Sequence, residues 1–298
     1  MDAQSYINQA VQSGKDVVFG EEHQSISHTF SLMEKTIQDN PNGVGAIVLE
    51  LSPSIQDLIE QAGTGEVSQE NFILQARINT EQEYLELAGG LLNEGRINQE
   101  QYDWYETFIN DRIDSILNRD GGAYSDADFT QDQVVFGTVY FLAQTCHENN
   151  TPLIANNFGR ERSVLADLND LTLDDWVQYI SDRADFENLL QTINLETTGP
   201  ILVHRGANHI QNVGGENNRD GMDDLLEERG RDVLTVGVYI DADTLASSKQ
   251  NTLDNGMEIA DPSDVLIIGE NLIMQNELTF DQDNALPHSQ PHTAIMQP

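Results

Sequence analysis

Two short stretches of this chain carry side chains that could do chemistry at matching places. The first runs from Asp16 to His28, where Gly20-Glu21-Glu22-His23 follows a short apolar run. The second runs from Pro200 to Ile210, where Gly206-Ala207-Asn208-His209 repeats the Gly-x-x-His spacing after Ile201-Leu202-Val203. A third group, Glu50, interrupts the apolar run Ala46 to Leu51. A carboxylate there is costly to bury unless it is paired, metal-bound or at the strand end. His23, Glu50 and His209 make a two-imidazole, one-carboxylate set. Such a set suits Zn, Mn, Co or Fe with positions left for water, and a bound cation acidifies that water and polarises a carbonyl. The metal-free version uses His23 as general base on water, with Glu21 or Glu50 orienting its ring and stabilising the cation formed. Arg160 is the candidate to hold a substrate carboxylate or a developing oxyanion. Both versions are hydrolytic, with a small molecule or a peptide as substrate.

These groups need strands to present them. Asp16 to Phe19 is mostly β-branched or aromatic and stops at a glycine. Helical spacing follows at once through Ile26, Phe30, Met33 and Ile37. The chemistry therefore sits at the carboxyl end of a strand, the edge where open α/β sheets bind ligands. Further strands are expected at 46–51, 153–156, 201–204, 233–239 and 265–268. The fold class is α/β: a mostly parallel sheet with helices on both faces and a helical insertion between strands two and three. The short helical crossover predicts that strands one and two are adjacent and parallel. Glu50 would then lie close to His23. His204 reads as a strand-end neighbour of the site, and His28 as a first-helix residue one turn beyond it.

The α/β core is expected to span 1–53 and 150–270, with 54–149 a helical insertion or lid and 281–298 a flexible tail. Within the insertion, Tyr102, Tyr105, Ile109, Ile113 and Ile116 keep helical spacing, and Thr130 with Gln133 reads as a capping box for a helix from Val134 to His147. Asp126, Asp128 and Asp132 lack the glycine and terminal glutamate of an EF-hand loop. His288 and His292 fall in the polar tail, where disorder is the expectation.

Charge narrows the partners. The chain carries 51 acids against 14 Lys and Arg, a net charge of -37, and its only lysines are Lys15, Lys35 and Lys249. Nucleic acid and anionic membrane surfaces both require positive charge, so neither is expected. An acidic, lysine-poor surface suits work in high salt, where screening weakens self-repulsion, and serves solubility equally well. The single cysteine, Cys146, excludes an internal disulfide and a cysteine-based zinc cluster, and it falls on the apolar side of a helix. No apolar run approaches membrane-spanning length. Without a basic and then apolar opening segment, the default expectation is a cytoplasmic protein, and a leaderless secreted protein would read the same.

Taken together, Gly20-Glu21-Glu22-His23, Glu50 and Gly206-Ala207-Asn208-His209, each closing a strand, resemble the ChaN/Tiki/erythromycin-esterase superfamily, and most closely its ChaN-like branch. Asn157-Phe158-Gly159-Arg160 is similar to that branch's Asn-x-Pro-Arg turn, with Gly159 where proline is usual. Gly221 to Leu226 followed by Val233 to Val238 is similar to its helix–strand tail, and Asp264 resembles the aspartate before its last strand. The resemblance covers 15–50 and 150–270. The Tiki branch implies metal-dependent peptide hydrolysis through the two Gly-x-x-His histidines and the carboxylate. The erythromycin-esterase branch implies hydrolysis with a histidine as base, and the ChaN branch implies haem binding and iron uptake. Haem is thus the alternative cofactor to a divalent metal. The sequence has no lipobox cysteine and no CxxCH haem-attachment motif, and Tyr102, Tyr105 and Tyr124 are available as non-covalent haem ligands.

Overall fold

The computed structural model describes residues 2–21, 25–119, 122–157, 161–168, 183–206, 221–247, 264–269 and 271–274, with two short strands at 279–280 and 287–288. In chain order the elements are α1 (Ala3–Gln12), β1 (Asp16–Glu21), α2 (Ile26–Asp39), β2 (Ala46–Leu49), α3 (Gln56–Thr64), α4 (Gln69–Asn93), α5 (Gln99–Asn118), α6 (Asp126–Glu148), β3 (Leu153–Ala155), α7 (Glu161–Asp167), α8 (Arg183–Thr192), β4 (Ile201–Gly206), α9 (Met222–Glu228), β5 (Val233–Tyr239), β6 (Val265–Ile268) and β7 (Asn271–Met274). The fold is α/β, with a seven-stranded sheet in the order β3-β2-β4-β1-β5-β6-β7. The chain divides into two compact units, Met1–Val48 with Ile180–Pro298, and Leu49–Tyr179.

In the first unit the central strands are buried on both faces, which is why β1 and β4 read as near-continuous apolar runs. The pairs β1–β4, β1–β5, β2–β4 and β5–β6 are parallel. The expectation that β1 and β2 are neighbours is not met, because β4 lies between them. The crossover through α2 therefore skips a strand position, which a right-handed connection of this length allows. An antiparallel edge strand, β7, was not expected. It returns from β6 through a tight turn at Gly269, whose φ of 60° suits glycine. The remaining strands fall where the sequence places them, with β1 and β4 each two residues longer, β2 two residues shorter and β3 one residue shorter than predicted.

The amino ends of these strands are fastened by one buried acid. Asp16 accepts from the Ile201 amide at 2.9 Å and from Arg231 Nε and Nη2 at 2.8 and 2.5 Å. The same guanidinium donates to the carbonyls of Leu195, Thr198 and Gly199. Helices cover both faces of the sheet. Register partners in a parallel ladder share a face and successive residues alternate, so Phe19, Glu21 and His204 lie on one face and Arg205 on the other. Phe30 of α2 stacks edge-on against His204, while Asp185 of α8 pairs with Arg205.

The second unit contains helices α3 to α7 among its described residues. Ser68, Asn98 and Ser125 cap α4, α5 and α6 through their side chains. The capping box of α6 is Ser125 with Asp128, not Thr130 with Gln133, and the helix starts eight residues before the expected Val134. Ser125 offers the extended backbone and hydroxyl that a cap needs, and residues 130–133 continue the helix it starts. Ala88, Leu91, Ile97, Tyr105 and Ile109 pack with Val164 and Leu165 of α7. A charged network runs through this unit. Arg112 forks onto Glu81 at 2.9 and 2.8 Å, and Arg77 lies 3.4 Å from Asp132.

Candidate functional site

The site forms because β1 and β4 are direct neighbours. Their register pairs Phe19 with His204 and Glu21 with Gly206, so the Glu21 carboxylate and the His204 imidazole meet on one face at the carboxyl ends of two central strands. His204 Nε2 lies 3.2 Å from Glu21 Oε1, and both side chains are almost wholly buried. Thr29 of α2 donates to Glu21 Oε2 at 3.2 Å. Phe30, the next residue of α2, sets its ring 4.9 Å from the imidazole at 70°. Thr29 and Phe30 are placed by the amphipathic spacing that the sequence shows, and they fix acid and imidazole from one side.

The His204 ring is close to its carboxylate without an aligned hydrogen bond. Nε2 is within ion-pair reach of Oε1, yet neither ring nitrogen makes a hydrogen bond. The Ser25 hydroxyl and His28 Nε2, both at the start of α2, are likewise shielded from solvent and without a hydrogen-bond partner. Each buried polar atom left unsatisfied costs about 1–3 kcal/mol, and native proteins keep few of them. Such atoms, gathered around the start of one helix and the end of a strand beside it, are available to a water or a bound molecule.

Of the residues expected from the sequence, Glu21 takes its place in the site, with His204 and Thr29 as its partners. His23, Arg160 and His209 lie outside the described residues. Glu50 stands one residue beyond the end of β2 and is half-buried. The adjacency of β1 and β2 that argued for Glu50 beside His23 does not hold. His147 is exposed in the last turn of α6, and Cys146 is buried, the latter as its place on the apolar side of the helix implies. Two of the tyrosines considered for haem already have partners: Tyr105 donates to Asp167 at 3.2 Å, and the Tyr124 hydroxyl bonds Asp132.

His204, which reads from the sequence only as a strand-end neighbour, is the residue whose role sequence reasoning did not assign. Its signal was an imidazole continuing an apolar strand, the same anomaly that drew attention to Glu50. Among the described residues no group of three or more His, Cys, Asp or Glu side chains is placed to hold a metal ion, and two of the three expected ligands are outside that set. Among the described residues no helix is long and apolar enough to cross a membrane. Comparison with protein-family models, with curated proteins and with solved structures finds no match in any of the three.

Proposed function

We propose that the chain is a hydrolase whose acid–base element is the buried Glu21–His204 pair at the carboxyl edge of the sheet. The observation that supports this reading is the pair itself: a carboxylate 3.2 Å from an imidazole, on adjacent central strands, with the other ring nitrogen free of partners. A carboxylate beside Nε2 favours the proton there and leaves the lone pair on Nδ1. Nδ1 then accepts a proton from water as the water oxygen attacks a carbonyl carbon. The imidazolium formed is stabilised by Glu21 and returns the proton to the departing group. Thr29, donating to the second carboxylate oxygen, keeps Glu21 turned toward the ring.

The two Gly-x-x-His histidines follow the same strand ends. His23 is two residues beyond Glu21, and His209 is three beyond Gly206, the register partner of Glu21. These are the imidazoles proposed to hold a divalent cation, with Glu50 the carboxylate proposed alongside them. A cation so held would supply an acidified water and a polarised carbonyl.

The test is an assay of wild-type protein against ester, amide and peptide panels, with metal analysis, a chelator arm and an absorption spectrum after adding haem. Hydrolysis of any class supports the reading, and its loss on chelation adds the metal. A Soret band without hydrolysis would replace it with the haem-binding alternative, and no response in any arm would defeat both.

A further inference from the structure

Away from the sheet, the helical unit contains a cleft of about 570 Å³ lined by α4, α6 and Arg119, the residue that follows α5. Its wall is half apolar, with Ile73, Leu74, Phe129 and Val134, and half polar. Its charges are unlike the rest of the protein. Two of the chain's 14 basic residues, Arg77 and Arg119, line it against a single acid, Glu70. Asp132 stands behind Arg77 as Glu70 faces Arg119, so the charges of the cleft balance locally, in a chain of net charge -37.

Both arginines are held in ways that packing alone does not require. Arg77 is 7% exposed, and its Nε has no hydrogen-bond partner. Its Nη2 donates to the Phe129 carbonyl at 2.6 Å, its guanidinium sits 4.9 Å from the Phe129 ring centre, and Asp132 lies 3.4 Å from Nε. Arg119 caps α5 in the left-handed region, with φ of 54°. A glycine would sit there without strain, and a non-glycine residue in that region costs about 1–3 kcal/mol. A cation one residue earlier would satisfy the helix dipole equally well. Its bond to Glu70, at 3.0 Å, joins two exposed side chains and is the weak kind of ion pair that an incoming anion can share.

We propose that this cleft binds a small organic carboxylate, received by Arg119 and Arg77, whose apolar body packs on Ile73, Leu74 and Phe129. A planar carboxylate matches the guanidinium fork. A wall whose charges balance, with a large apolar share and one weak, exposed ion pair to exchange, fits a monoanion with a hydrocarbon body better than a doubly charged phosphate.

Isothermal titration of the full chain with 4-phenylbutyrate, its primary amide and acetate, at matched ionic strength, tests this. The acid should bind at one per chain, with amide and acetate each weaker by about tenfold or more. Arg119→Gln should weaken the acid about tenfold with an unchanged melting temperature, and Val134→Trp, which fills the cleft from its exposed side, should do the same. Absence of saturable binding by the acid, equal binding of the amide, or binding unmoved by both substitutions would overturn the proposal. Because the readout is binding in the helical unit, these results are independent of whether the protein hydrolyses anything.

Discussion

Arg231 grips Asp16 with two nitrogens at 2.8 and 2.5 Å, and the acid it holds is fully buried at the amino end of β1. Because Asp16 also takes the Ile201 amide, one carboxylate ties β1 to β4 at the edge of the sheet opposite the site. Removing the cation leaves a buried charge without its partner, a loss of about 3–5 kcal/mol. Arg231→Ala should therefore lower the unfolding free energy by that much, read as a lower denaturant midpoint at unchanged slope. Arg231→Lys should recover only part of it, since an ammonium cannot fork onto the acid while reaching three carbonyls. An unchanged midpoint in Arg231→Ala would remove Asp16 as the fastening of the sheet.

Asp132 should make the stability of the helical unit fall as pH rises through the mildly acidic range. Burial pushes its carboxyl from the ordinary 3.8 up to about 6, against the opposing pull of Arg77. The folded state then binds the proton more tightly than the unfolded one, so this contribution to stability is fully present below about pH 4 and is lost as pH rises through about 6. The difference in melting temperature between wild type and Asp132→Asn should shift in favour of the variant across that window and stay level above it. A difference that is constant from pH 4 to 7, or that moves the other way, would contradict the assignment.

The strands were legible in the sequence because buried parallel strands are written as short apolar runs bounded by glycine, proline or acid. Val17 to Phe19 and Ile201 to Val203 are such runs, and both lie at the centre of the sheet. The order of the strands was not legible. Placing β4 between β1 and β2 is settled by pairing between residues some 180 positions apart, such as Val17 with Leu202, and local pattern is silent on that. The site followed the order. Glu21 was recognisable as a strand-end acid, but its partner depended on which strand lay beside it, so His204 read only as a strand-end neighbour. Arg77 and Arg119 were equally hidden, since nothing local marks two arginines separated by more than one helix as sharing a cleft.

The charge of -37 should show itself as a salt requirement. Surface acids repel one another, and that repulsion is screened as the Debye length falls to about 3 Å at 1 M salt. Melting temperature should rise from low salt to molar potassium chloride. A flat or falling profile would leave the acidic surface as a device for solubility instead.

The hydrolytic reading rests on one imidazole and one carboxylate acting together, and kinetics of the two single variants test it most directly. On whichever substrate the wild type cleaves, His204→Ala should lower kcat by roughly 100- to 10,000-fold, while circular dichroism shows the sheet intact. Glu21→Gln should lower kcat as well, because the ring would lose the group that sets its proton and stabilises its cation. Wild-type rates in a folded His204→Ala protein would contradict the account.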